Sequence, residues 1–277
     1  MISGGLISLT FDDALDQHVD VALPMLLDEG LRGTFYAHLS APSLIRRTDV
    51  WRRLADVGNE LGNHTIFHPM DARKLSVREG NALDLYSLDR MQLELQLANE
   101  WLSSIDGRTD RTFAYPCSNS VLGSYGRTCR LLFRMGLRNT RWPGLAEQWK
   151  IDPGNTRRSY QLLMADMFVA ARGGGLYVSG ESLEISAVNR YFLPSAAVEG
   201  HSFEQMRGFL ERSLGKNSWS ILQFHGVGGG HRMDCDPHEF RQLTRWLGES
   251  HQDRVVTVVK GAQMVFGKKD TVTVRNA

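Results

Sequence analysis

Between Leu6 and Phe11 the chain is almost wholly apolar, and it then breaks into two adjacent carboxylates, Asp12 and Asp13. A short apolar run of that kind reads as a strand buried on both faces, which parallel sheets require. A helical pattern follows over residues 16–29, with Val19, Ala22, Leu23, Leu26 and Leu27 on one face. Gly30 stops it, and Gly33–Ala37 reads as the next strand.

The alternation continues. Val50–Val57 is a short helix and Leu61–Asn63 a third strand, and residues 83–102 form the longest helix. Leu88, Met91, Leu95, Ala98 and Leu102 recur there at three- and four-residue steps. Arg111–Pro116 reads as strand then turn, Thr128–Met135 as helix, Leu137–Thr140 as strand and Leu162–Ala171 as helix. Gly173–Gly175 opens a short strand at Leu176–Ser179, whereas residues 181–202 show no clear period. Phe203–Leu214 is helical, and Trp219–Phe224 is a late buried strand ending at His225. Asp236 as N-cap, Pro237 at N1 and Glu239 begin a helix running to about Leu247, and Val255–Val259 is the last strand.

Strand–helix alternation with right-handed crossovers predicts an α/β fold, read as a single domain over residues 1–277. The polar residues gather at the C-terminal ends of strands, namely Asp12, Asp13, His64, Tyr115-Pro116 and His225. A barrel collects its site there, and an open doubly wound sheet would do the same. With 42% hydrophobic and 23% charged residues, the chain can build a substantial core. Its 32 Lys and Arg nearly balance 31 Asp and Glu, which argues against nucleic acid and suits a neutral substrate such as a sugar.

Three cysteines, Cys117, Cys129 and Cys235, form no CxxC pair and no even-numbered framework, so a reduced cytoplasmic setting is expected. Residues 1–20 lack a secretion-signal pattern, although a mature secreted form would also lack one. No segment approaches the roughly twenty apolar residues that span a bilayer.

His64 and His68 lie four apart, a spacing that puts both imidazoles on one side of a turn. Pro69 disfavours continued helix, so the pair belongs to a single turn or loop. Taken singly, Asp12-Asp13 could cap the next helix and the histidines could be surface residues. Together, one Asp and two imidazoles form a facial set that leaves open positions on a divalent ion. The other Asp then stands where a general base belongs. His225 precedes the flexible Gly226–Gly230 stretch and is a candidate general acid. Cys117 is a secondary candidate nucleophile with a nearby histidine as base. The glycine runs at 173–175 and 228–230 lack phosphate-loop spacing.

Thr10-Phe11-Asp12-Asp13, His64-Thr65-Ile66-Phe67-His68 and Leu222-Gln223-Phe224-His225-Gly226 resemble the motifs of the polysaccharide deacetylases. These are the NodB-homology enzymes of carbohydrate esterase family 4, and the resemblance covers roughly residues 5–260. It implies a distorted (β/α)7-type barrel. It implies that Asp13, His64 and His68 hold a divalent metal, usually zinc and otherwise cobalt, nickel or manganese. Asp12 would be the base toward the attacking water and His225 the acid toward the leaving amine. Tyr115, Pro116 and the backbone N–H near Cys117 would face the substrate and its oxyanion.

Two departures stand out. The family carries Arg-x-Pro-Tyr/Phe, its arginine pairing with the base, whereas Ala114 stands at that place in Phe113-Ala114-Tyr115-Pro116-Cys117. No Asp-Trp pair that would buttress the acid is evident. Arg138 and Arg141 are therefore expected to supply the cation to Asp12, and Trp142 an apolar wall under the acetyl group. The implied activity is metal-dependent hydrolysis of the N-acetyl or O-acetyl group of a saccharide. Hydrolysis of small cyclic amides such as allantoin, and glycan binding without turnover, are the alternatives on the same fold.

Overall fold

The computed structural model describes residues 5–71, 80–123, 127–137, 140–142, 145, 149, 157–178, 180, 184–214 and 217–267. Seven strands make one sheet: β1 (Leu6–Asp12), β2 (Thr34–Ala37), β3 (Glu60–Asn63), β4 (Thr112–Ala114), β5 (Ala170–Arg172), β6 (Ala196–Ala197) and β7 (Trp219–Phe224). Their spatial order is β5-β4-β3-β2-β1-β7-β6, and every pairing is parallel. The helices in chain order are α1 (Leu23–Asp28), α2 (Pro42–Arg46), α3 (Thr48–Asp56), α4 (Leu88–Asp106), α5 (Arg127–Arg134), α6 (Met164–Met167), α7 (Phe203–Ser213), α8 (Pro237–His251) and α9 (Val258–Phe266).

The sheet curls until its two edges meet. Gly173 N–H donates to Leu193 O, Leu193 N–H to Ala171 O and Leu176 N–H to Ser195 O, at 2.9, 2.7 and 3.1 Å. The barrel is thus closed by a seam of isolated bridges rather than a full ladder. β1 is buried along its whole length, and Phe11 stacks between Phe35 and Phe224 with ring centroids 4.6 and 5.2 Å away. Trp51 of α3 and Phe240 of α8 close the same cluster from outside, as crossover helices must on a parallel sheet.

The helix expected over 16–29 begins as a wide π turn at His18–Ala22 before continuing as α1. Four other expectations meet a different outcome. Residues 162–171 are helical only as far as Met167, and Ala170–Arg172 is a strand, because that apolar run completes the sheet beside β4. Among the described residues 176–178 only Leu176 pairs, through one bridge to Ala196, and neither Leu137 nor Thr140 lies in a strand, residues 138, 139 and 179 lying outside the described residues. At 255–259 only Val255 pairs, with Ile7, and α9 begins at Val258. The sheet itself satisfies the first amides of that helix. Val258 N–H donates to Thr34 Oγ1 at 2.8 Å and Val259 N–H to the buried Glu60 carboxylate at 2.9 Å. The helix headed by Asp236 and Pro237 forms as expected and runs on to His251.

Candidate active site

The ladder between β1 and β7 ends at Phe11↔Phe224, so the next residues, Asp12 and His225, emerge side by side. Asp12 is buried and Asp13 bends away from it. Positive φ at Asp13 (78°) and Ala14 (51°) turns the chain sharply enough to separate the two carboxylates. β3 ends in the histidine loop, whose backbone is held at almost every amide. Asn63 Oδ1 accepts from Thr65 N–H at 2.7 Å and Thr65 Oγ1 from His68 N–H at 2.9 Å. Glu94 of α4 reaches across to accept from both Ile66 and Phe67 N–H at 3.1 Å. Left-handed φ at Thr65 and His68 makes this an irregular loop, in keeping with the effect expected of Pro69.

That loop brings His64 and His68 onto Asp13. Asp13 Oδ1 lies 3.6 Å from His64 Nε2 and 3.3 Å from His68 Nε2, and it is buried without a hydrogen-bond partner. The three ligand atoms lie within 4.8 Å of one another. Donors about 2.0–2.1 Å from a tetrahedral zinc would stand about 3.3 Å apart, so the set fits a divalent ion. His64 Nδ1–H donates to Ala114 O at 2.8 Å, which leaves the Nε2 lone pair facing Asp13. Burial pushes the His64 imidazole down to about 4, so it is neutral, as a ligand must be. Burial pushes the Asp13 carboxyl up, but His68 and His64 outweigh it and hold it ionised.

Asp12 is paired from a strand that sequence reading took for helix. Arg172 Nη2 donates to Asp12 Oδ1 and Oδ2 at 2.7 and 2.5 Å, and Gln223 Nε2 donates to Oδ2 at 3.0 Å. Arg172 Nη1 is fixed by Gly173 O and Ser195 Oγ, and its guanidinium lies over the Tyr36 ring. Gly62 lets that ring approach, since a Cβ there would stand 2.3 Å from it. Burial pushes the Asp12 carboxyl up, and the Arg172 charge with His64 and His225 brings it below its ordinary value. Ala114 and Arg172 are register partners across β4 and β5. The guanidinium therefore starts one strand away from the expected position, at the same level and on the same face.

His225 Nε2 lies 4.0 Å from Asp12 Oδ2, and its Nδ1 is 2.7 Å from Glu199 Oε1. Burial pushes the imidazole down, but the Glu199 bond and the Asp12 charge outweigh it and raise its pKa. Burial likewise pushes Glu199 up, and the His225 bond brings it down. The strand-end rule that exposed Asp12 applies equally to Arg172, which follows the apolar Phe168–Ala171 run. Glu199 lay in the aperiodic 181–202 stretch, where no pattern marks it.

The other expected residues fall elsewhere. Arg141 is exposed, with its guanidinium 5.8 Å from the Trp142 ring, and Arg172 takes the place it was expected to fill. Arg138 lies outside the described residues. Trp142 is half exposed and is not part of the cleft wall. Tyr115 is buried with its hydroxyl donating to Tyr191 O, and Pro116 is buried behind the turn. Cys117 reaches the wall beside Ser118, both with left-handed φ. The cleft is about 1330 Å³, with Phe67, Met70, Leu176 and Met233 supplying apolar wall and Arg46 and Arg232 charge.

Residues 3–138 match the family model described as polysaccharide deacetylase. The peptidoglycan-N-acetylmuramic acid deacetylase PdaA of Bacillus subtilis is 26% identical over 177 residues, 62% of this chain and 58% of that protein. Among solved structures, a presumed polysaccharide deacetylase of Mycobacterium smegmatis aligns with a TM-score of 0.56 at 14% identity, over 94% of this chain and 89% of that one. The Bc1960 peptidoglycan N-acetylglucosamine deacetylase aligns with a TM-score of 0.51 at 16% identity, over 93% and 90%. At such identities the structural likeness concerns the fold.

Proposed function

We propose that this chain belongs to the polysaccharide deacetylase family, whose model matches residues 3–138, and that it removes the acetyl group from an N-acetylated sugar polymer by metal-assisted hydrolysis. The observation that carries this reading is the pairing of two unlike centres in one cleft. The orphaned Asp13 carboxylate faces two imidazoles, and beside it stand a carboxylate whose pKa is lowered and an imidazole whose pKa is raised. Asp13, His64 and His68 would hold the divalent ion, with zinc first among candidates. Such an ion, when bound, supplies Lewis acidity toward the acetyl carbonyl and lowers the pKa of water.

The chain's own residues do the rest. Asp12, ionised and oriented by Arg172 and Gln223, accepts the proton of the attacking water. His225, its pKa raised by the bond to Glu199, gives a proton to the departing nitrogen so that the C–N bond breaks to acetate and amine. An amine leaving group needs that proton more than an alcohol does, which favours the amide over the ester. The cleft's size suits a chain of sugars more than a small cyclic amide.

The test is acetate release from chitooligosaccharides, peptidoglycan fragments, acetylated xylan and allantoin, by metal-free protein and protein reloaded with zinc. Metal-dependent release from the N-acetylated sugars that vanishes in Asp12→Asn supports the proposal. Turnover of allantoin alone, or tight sugar binding without acetate, overturns it.

A further inference from the structure

We infer that His18 is a positioning residue that ties the acid His225 to the turn carrying Asp12 and Asp13. This rests on the deacetylase reading for its kinetic consequence, but the tie itself is geometric. His18 is fully buried, and both of its ring nitrogens are engaged. Leu15 N–H donates to His18 Nδ1 at 3.3 Å, so the ring proton sits on Nε2. From there it donates to the carbonyl oxygen of His225 at 2.7 Å. Burial holds the ring neutral, with its pKa pushed down to about 4, so this one tautomer persists.

The placement matters because the β1–β7 ladder stops at Phe11↔Phe224. Past that point, ladder hydrogen bonds no longer fix Asp12 relative to His225, and His18 supplies a bond between the two emerging segments. Its setting is apolar: Phe11, Phe35 and Trp51 surround the ring at centroid distances of 5.6, 6.0 and 6.4 Å. Filling that space would need only a phenyl group, and burying an imidazole costs desolvation unless its bonds are used. The π turn at His18–Ala22 aims the ring there.

The experiment compares His18→Phe, which keeps aromatic volume and removes both bonds, with His18→Gln, whose amide N–H can replace Nε2–H. In zinc-loaded protein, His18→Phe is expected to lower kcat about ten- to hundredfold, with KM and zinc affinity within twofold of wild type. His18→Gln should recover most of the loss. A kcat within twofold of wild type in His18→Phe, or parallel loss of kcat, KM and zinc affinity in both variants, overturns the inference. The tie is also read without turnover, as an imidazole N–H of His18 protected from exchange in proton–nitrogen NMR. Absence of that protection overturns the inference even where no acetylated sugar is turned over, an outcome that would refute the deacetylase reading separately.

Discussion

Asp12 is a charge in a dry place, and the residue that makes it tolerable enters from β5. Removing Arg172 leaves the carboxylate buried and unpaired, so Arg172→Ala should cost about 3–5 kcal/mol of stability and at least a hundredfold in kcat. Arg172→Lys is expected to recover little, because an ammonium cannot reproduce the guanidinium's fixed geometry. The register of Ala114 and Arg172 allows a sharper check. The double variant Ala114→Arg/Arg172→Ala should regain activity relative to Arg172→Ala, measured as kcat/KM on one N-acetylated oligosaccharide. Glu199 sets a second expectation. With His225 as the proposed acid, its protonated form is the active one, and activity is expected to fall as pH rises through its pKa. Glu199→Gln removes a group that raises that pKa, and the alkaline limb of the pH–kcat/KM profile should move to lower pH. The five residues that first drew attention, Asp12, Asp13, His64, His68 and His225, were legible because strand ends and spacing mark them. Arg172 also ends an apolar run, but that run reads as helix over 162–171, and Glu199 lies in a stretch without period, so neither is marked as a partner of Asp12 or His225.

At the scale of elements, α4 does more than cover the sheet. Its Glu94 holds two consecutive amides of the histidine loop, and Asn99 on the same helix receives Asn63 Nδ2–H at 2.7 Å. The helix is thereby a splint for the imidazoles. Glu94→Ala should leave the fold intact and weaken zinc binding about ten- to hundredfold by isothermal titration, as losses of ligand-orienting groups do elsewhere. Periodicity foretold this helix, the mutually packed α7 and α8, and the strands β1, β2, β3 and β7. It failed where an element is short or satisfied from outside. β5 has three residues and takes its identity from β4, and α9 owes its first turn to Thr34 and Glu60.

For the whole molecule, a metal bound at Asp13, His64 and His68 would join the ends of β1 and β3, across the intervening β2, and should stabilise the native state by mass action. Removing it with a chelator is expected to lower Tm, and zinc should restore Tm and activity together, as differential scanning fluorimetry can follow. A barrel can be only as firm as its weakest joint, and here the joint is the seam of single bridges near Arg172, Leu193 and Leu176. In hydrogen exchange, amides along that seam should open before those of the continuous β1–β7 ladder. Each opening would also loosen the grip of Arg172 on the base, so heat would silence the protein by unzipping one edge well before the core melts.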